Sequence, residues 1–360
     1  MSSSLTIEVR PEGLYLPALD LHLDPDRGVP AAFVSHAHGD HAAADLSGVG
    51  AMISSPETRV LVEARRATRP AEARTIAWDQ SIEVKIAREH GGGTARISIA
   101  PAGHILGAAQ LVVDHPGGRF VYTGDYQSGA SPTHAAGVPV PCDELVIEST
   151  FGLPIFRFPS RAETTAKIVS WCRAHLDAGE TPVLLGYALG KSQALVHACL
   201  AAGLPVVAHG AVHRMCAAYE SLGVPLGVAD GRLIPYATHV EAEKKARRKA
   251  DRTPTVIVST PQTQGQPMIR KRKDARIAYV SGWALVDAAI EQRRADAGFP
   301  LSDHADYDDL LATVRATGAR RVWVTHGDDV ELFARLVARE TGVETLALAA
   351  PSIDAHEDQA

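Results

Sequence analysis

Aromatic residues are scarce in this chain: Phe, Trp and Tyr make up 5% of its 360 residues. Its four tryptophans, Trp78, Trp171, Trp283 and Trp323, are scattered, so core packing is the expected role of each. No series of rings suggests a platform for stacked bases. Cysteine is scarcer still. Cys142, Cys172, Cys199 and Cys216 lie far apart with no C-x-x-C, which argues against a thiolate metal site or a disulfide framework and suits reduced cytoplasmic thiols. No run approaches the ~20 apolar residues that a membrane-spanning helix needs. Met1–Arg10 has neither a basic nor an apolar signal region, so a cytoplasmic protein with no membrane partner is expected. Internal repeats and low-complexity tracts are absent too.

Charge of one sign does not dominate either. The net charge of −6 excludes a uniformly basic nucleic-acid binder, but the distribution matters more than the sum. Between Glu241 and Arg276 stand eleven Lys/Arg against four Asp/Glu, a local excess of seven. Lys244, Lys245, Arg247, Arg248 and Lys249 form one cluster, and Arg270, Lys271, Arg272 and Lys273 another. A solvated helix face and a nucleic-acid contact both fit.

What is present is α/β punctuation. At 360 residues the chain suggests two compact units. In the first 150 residues short apolar strands stop at polar residues beside Gly. Ala31–Ser35 runs into His36, Arg96–Ala100 toward Gly103-His104, Arg119–Thr123 into Gly124-Asp125, and Leu145–Ile147 into Glu148. Arg321–Thr325 later stops at His326-Gly327. Strand C-termini project from one sheet edge, where α/β folds build their sites. The middle alternates differently. Ser160-Arg161-Ala162-Glu163 is a capping box that opens a helix to about Ala178. Strands at Pro182–Tyr187, Pro205–Ala208, Thr255–Ser259 and Arg276–Val280 alternate with helices from Lys191, Val212 and Val240, the last running to about Ala250. This pattern predicts a parallel sheet in a second α/β domain, 152–297, inserted into a discontinuous first domain of 1–151 and 298–360.

The chemistry concentrates in His36-Ala37-His38-Gly39-Asp40-His41. Imidazoles and carboxylates are ligands for Zn²⁺ and similar divalent ions. His36 and His38, two apart on an extended segment, can grip one ion. Small Gly39 lets the backbone fold back, so that Asp40 and His41 face a second. His104 completes the first set, Asp125 can bridge through its two oxygens, and His326 adds a nitrogen to the second. Two ions ~3.5–4 Å apart can activate a water and clamp an in-line displacement at phosphorus. Gly186 to Ser192 falls one residue short of a P-loop, which argues against nucleotide binding. Its strand-to-helix turn still makes Lys191 and Gln193 candidate contacts to a substrate backbone.

The H-x-H-x-D-H loop, the later Gly103-His104 and Thr123-Gly124-Asp125 resemble the metallo-β-lactamase superfamily. Glu148 in Ile147-Glu148-Ser149-Thr150, His304 in Ser302-Asp303-His304-Ala305 and His326 in Thr325-His326-Gly327 resemble motifs A, B and C of its β-CASP nucleases. The resemblance implies an αββα sandwich with an inserted α/β cap domain. Gly13-Leu14-Tyr15-Leu16-Pro17, Leu23-Asp24-Pro25 and Tyr187 to Gln193 are most similar to bacterial DNA-ligase-associated, Artemis-like exonucleases. That implies a DNA exonuclease in repair, associated with a ligase and helicase, using two divalent ions, Zn²⁺ or Mn²⁺. His at motif C is a feature of RNA-directed relatives and keeps RNA open as substrate. The implied catalytic residues are Asp40, His304 as general acid and Glu148 as its orienting partner. Asp24 is expected behind a ligand histidine, with Asp20 its rival.

Overall fold

The computed structural model of the protein describes residues 5–245 and 254–348. Two compact units emerge: Met1–Arg157 with His304–Ala360, and Phe158–Asp303. The junctions lie six residues beyond the expected 151/152 and 297/298. The physical reason is local. Phe156 stacks edge-on against Phe151 at 5.0 Å, its carbonyl accepts from Tyr307 N–H at 3.1 Å, and Arg157 pairs with Asp308.

In the first unit, six strands follow one another in sequence across one sheet: β1 Glu8–Arg10, β2 Gly13–Leu16, β3 Leu21–Leu23, β4 Ala31–Phe33, β5 Ala51–Ser54 and β6 Glu72–Thr75. The first two pairings are antiparallel, and β3 to β6 run parallel. The second sheet takes β7 Ser81–Lys85, β8 Thr94–Pro101, β9 Ala109–His115, β10 Gly118–Tyr122 and β11 Glu144–Glu148.

The second unit inserts here. Its strands are β12 Thr181–Leu185, β13 Val206–Ala208, β14 Leu233–Pro235, β15 Val256–Ser259, β16 Ala275–Val280 and β17 Ala297–Phe299. They form one parallel sheet in the order β14-β13-β15-β12-β16-β17. The Ser160–Glu163 capping box is present at the head of the helix Arg161–Asp177. The basic helix is described over Tyr236–Lys245; Arg247, Arg248 and Lys249 lie outside the described residues.

The chain then returns to the second sheet of the first unit with β18 Arg321–Thr325 and β19 Glu344–Ala347, both parallel to β11. Leu14, Leu16, Leu23 and Phe33 of one sheet and Ile97, Leu111, Val113, Phe120 and Val146 of the other share one buried cluster. The helix Pro56–Arg65 lies along β6, and Val330–Thr341 packs on β18 and β19, which completes an αββα sandwich. β11, Glu144-Leu-Val-Ile-Glu148, is buried at every position, as a strand covered on both faces must be. No helix among the described residues is long and apolar enough to cross a membrane.

Leu111 is fully buried where the sheets meet. Leu111→Ala is expected to cost about 2–5 kcal/mol of stability in urea denaturation, and Leu111→Met under about 1.5 kcal/mol.

Candidate metal centre

The first unit delivers its polar residues to one edge. Asp24 follows β3, His36 follows β4, His104 follows β8, Asp125 follows β10, Glu148 ends β11 and His326 follows β18. Their backbone is unusual. Among five non-glycine residues with positive φ in the described chain are Asp24 (46°), His104 (55°) and His326 (45°). Left-handed backbone at such residues costs of order 1–3 kcal/mol each and persists only where the surroundings enforce it. Two glycines serve the same turns. Gly103 (φ 76°) lies against the Gln127 carbonyl, and Gly124 (φ 55°) against the Ser35 side chain, so neither position has room for a Cβ. Gly39 is different from expectation. Its φ is not positive, and a Cβ there would meet only guanidinium ends, at 3.5 and 3.7 Å. The loop is shaped instead by Arg65, which donates to Ala37 O at 2.8 Å, and Arg66, which donates to Gly39 O at 3.1 Å and Ala42 O at 2.7 Å.

Three imidazoles converge. His36 Nε2 lies 3.0 Å and His104 Nε2 2.9 Å from His38 Nδ1. Asp125 Oδ2 stands 3.6 Å from both His36 Nε2 and His104 Nε2. Its other oxygen faces His41 Nε2 at 3.3 Å, and that nitrogen is also 3.6 Å from Asp40 Oδ2. The His326 ring lies 4.9 Å from the His41 ring. Asp125 thus stands between the two groups. Asp40 Oδ1 is buried without a hydrogen-bond partner.

Behind the histidines, Asp24 is the hub. It accepts from Ser35 N–H at 2.6 Å, Ser35 Oγ at 2.5 Å and Tyr122 OH at 2.8 Å, and it faces His41 Nδ1 at 2.8 Å. Asp20, the rival, accepts from Tyr15 OH instead. Ser35 Oγ also sits 3.0 Å from His36 Nδ1, and Tyr122 OH 3.3 Å from His326 Nε2. Ser35 and Tyr122 were not foreseen, because a serine and a tyrosine at strand ends carry no signal without the tertiary pairing.

The electrostatics are those of a cluster that wants a cation. Burial drives the His36 pKa well below the ordinary value, reinforced by His41 and His104. Burial and His41 take His326 down to about 4. Burial raises Asp125 to about 7 against the pull of His41. Burial opposes charge on His41, yet Asp125, Asp40 and Asp24 carry its pKa well above normal. Buried imidazoles, His36 and His326 among them disfavoured as cations, facing buried carboxylates with an orphaned carboxylate oxygen among them, are the donor set a divalent ion satisfies. His36, His38, His104 and Asp125 can hold one ion; Asp40 and His41, which face Asp125 and lie beside the His326 ring, are the candidates for a second.

Beside them His304 Nδ1 contacts both Glu148 oxygens, at 2.9 and 3.0 Å, and His304 Nε2 faces Asp125 Oδ2 at 3.8 Å. Glu148 accepts from Tyr126 N–H at 2.6 Å and Thr150 N–H at 3.2 Å. Burial alone would raise its pKa; His304 and these donors hold it below the usual value.

Lys191 and Gln193, in the second unit, do not present themselves as substrate contacts. Lys191 is buried, 3.5 Å from Asp303 Oδ2 and over the Tyr187 ring. Gln193 is fully buried; its amide accepts from Gly190 N–H at 2.7 Å and donates to Ala188 O. The turn's N–H groups at Gly190, Ser192 and Gln193 all bond within the chain, so they form no phosphate cradle. Trp78 corrects another expectation: it is 38% exposed rather than core.

Residues 14–185 match the family described as beta-lactamase superfamily domain, and residues 297–348 the Zn-dependent metallo-hydrolase RNA specificity domain. A "Probable DNA ligase" of Opitutus terrae is 34% identical over 93% of this chain and 30% of its own length. An "RNase J-like protein" of Methanocaldococcus jannaschii is 26% identical over 48% of this chain and 44% of its own. The chain therefore spans less than half of either curated relative. A crystal structure of a protein of unknown function from Enterococcus faecalis shares the fold, with TM-score 0.53 and 15% identity, over 88% of this chain and 78% of that one.

Tyr122→Phe removes the hydroxyl that holds Asp24 without altering the strand. It is expected to weaken divalent-metal affinity by about 10–100-fold, read by competition with a chromophoric chelator. Chelator treatment should lower the melting temperature of the wild type and Zn²⁺ restore it. Asp125→Asn, which removes a buried charge, should leave the metal-free protein no less stable while abolishing that response.

Proposed function

Because the chain belongs to the metallo-β-lactamase superfamily, in the branch that carries the β-CASP nucleases' RNA specificity domain, we propose that it is a divalent-metal-dependent phosphodiesterase that trims DNA ends during repair. The observation that carries the reading is the Glu148–His304 pair set against Asp125, the carboxylate shared by both candidate ligand groups. Divalent ions at such a centre lower the pKa of a bound water and draw charge from phosphoryl oxygens. The chain's residues do the rest. His36, His38, His104, Asp40, His41 and His326 would hold the ions together with Asp125, and Asp24 fixes the ring of His41. Glu148 engages His304 Nδ1, which leaves Nε2 to deliver a proton to the departing sugar oxygen. Held ionised against burial by the facing His304 and by two backbone N–H groups, Glu148 in turn favours the protonated form of His304 that the step requires.

The ligase relative, matched over 93% of this chain, favours DNA and work beside a ligase. Zn²⁺ or Mn²⁺ suits the nitrogen-rich ligand set. A second reading, an RNA-processing nuclease on the same machinery, is favoured by the RNA specificity domain, the RNase J-like relative and His326.

Purified protein with Zn²⁺ or Mn²⁺ is expected to shorten end-labelled DNA from its termini. Asp40→Ala should abolish cleavage. His304→Ala should lower kcat at least about 100-fold with metal content retained. Absence of cleavage on single- and double-stranded DNA across metals would sink the DNA reading. A tenfold preference for RNA of matched sequence would replace it with the second.

A further inference from the structure

The exposed indole of Trp78 stands out in a chain this poor in aromatics. Among the described residues the other exposed large hydrophobics are aliphatic: Val9, Val138, Ile155 and Leu346. Trp78 is also tethered. Its Nε1–H donates to Glu57 Oε1 at 3.1 Å, so its one polar atom is engaged. Glu57 stands in the first turn of the helix Pro56–Arg65.

Its position bears on the metal centre. β4, β5 and β6 are parallel neighbours; β4 leads into His36, and β6 leads through Ile76 and Ala77 into Trp78. Two strand spacings, about 10 Å, separate those exits along one sheet edge. The helix turn that tethers Trp78 also holds the loop of His104. Ser55 Oγ and Thr58 Oγ1 donate to Gly107 O at 2.6 and 2.8 Å. Gly107 (φ 82°) packs so closely that a Cβ there would lie 2.6 Å from the Glu57 Cβ.

We propose that Trp78 is a stacking platform for a nucleobase of the strand held at the metal centre. The proposal rests on the phosphodiesterase reading and adds a base subsite to it. A flat, apolar ring edged by a carboxylate suits a neutral base rather than a phosphate, which Glu57 would repel. Every base has a π-face, so such a platform adds affinity without sequence preference.

Steady-state cleavage of a labelled oligonucleotide, intact or carrying abasic residues near its labelled end, tests this on the full chain with Mn²⁺. Trp78→Ala should raise KM for the intact strand at least about fivefold, with kcat within about twofold, the scale set by loss of one base–aromatic stack. Trp78→Phe should recover most of the loss. Abasic residues should raise the wild-type KM by a similar factor, and Trp78→Ala should add nothing on that substrate. Unchanged KM for Trp78→Ala while the wild type cleaves overturns the platform and leaves the metal centre standing. Equal losses on intact and abasic strands overturn it too, pointing to a general distortion or a protein-docking role for the ring. No cleavage by the wild type overturns the phosphodiesterase reading and this inference together.

Discussion

Asp24 organises the sheet edge because four donors or ring nitrogens meet on one buried carboxylate. Its left-handed backbone is held by its own N–H, which donates to Phe33 O at 2.9 Å and ties the end of β3 to the end of β4. That bond places Asp24 beside Ser35 and behind His41. Ser35 carries the constraint on to His36, and Tyr122 carries it across to the second sheet and His326. One carboxylate therefore couples the orientation of three histidines from two strand ends. Its own charge adds to that of Asp125 and Asp40 in raising the pKa of His41 against the effect of burial. A cation bound there would have to displace the proton of His41, so the same network would make ion binding pH-dependent.

The strain has a matching logic. Asp24, His104 and His326 adopt positive φ where a strand gives way to the edge. Such residues persist because flanking structure over-determines them: His104 sits between Gly103, pressed on Gln127, and a loop clamped by Ser55 and Thr58. His326 O accepts from Ser149 N–H, next to Glu148 on the neighbouring strand. The sandwich core, with residues such as Leu111 and Phe120 fully buried, supplies the stability against which this local cost is offset.

Much of this was legible beforehand. The His36–His41 loop could be read because its residue types serve little else at that density, and β8, β10 and β18 because short apolar runs ended where Gly stands beside His104, Asp125 or His326. The choice between Asp24 and Asp20 could not be read. Both follow short apolar turns, and only the Leu23–Phe33 register of β3 on β4 brings Asp24 to the site. Tyr122 and Ser35 were invisible for the same reason. Lys191 and Gln193 misled because a Gly-Lys-Ser turn looks like an anion site, while the fold uses the glutamine to cap its own helix. Trp78 misled because tryptophan is usually interior, whereas it follows the edge strand β6, which is exposed at three of its four positions.

What the Glu148–His304 pair adds to the metal residues bears on substrate class. Thiolate leaves readily, its conjugate acid having a pKa near 8.5, so a thioesterase on this fold has little use for a dedicated acid. An alkoxide departing from phosphorus does need a proton as the bond breaks. Here an imidazole is locked by a carboxylate that itself accepts two backbone N–H bonds, with its other nitrogen, Nε2, 3.8 Å from Asp125 Oδ2. Burying that carboxylate carries a desolvation cost that a purely structural histidine would not require. The arrangement is worth its cost when the leaving group is an alcohol, and a sugar hydroxyl in a phosphodiester is that kind of leaving group.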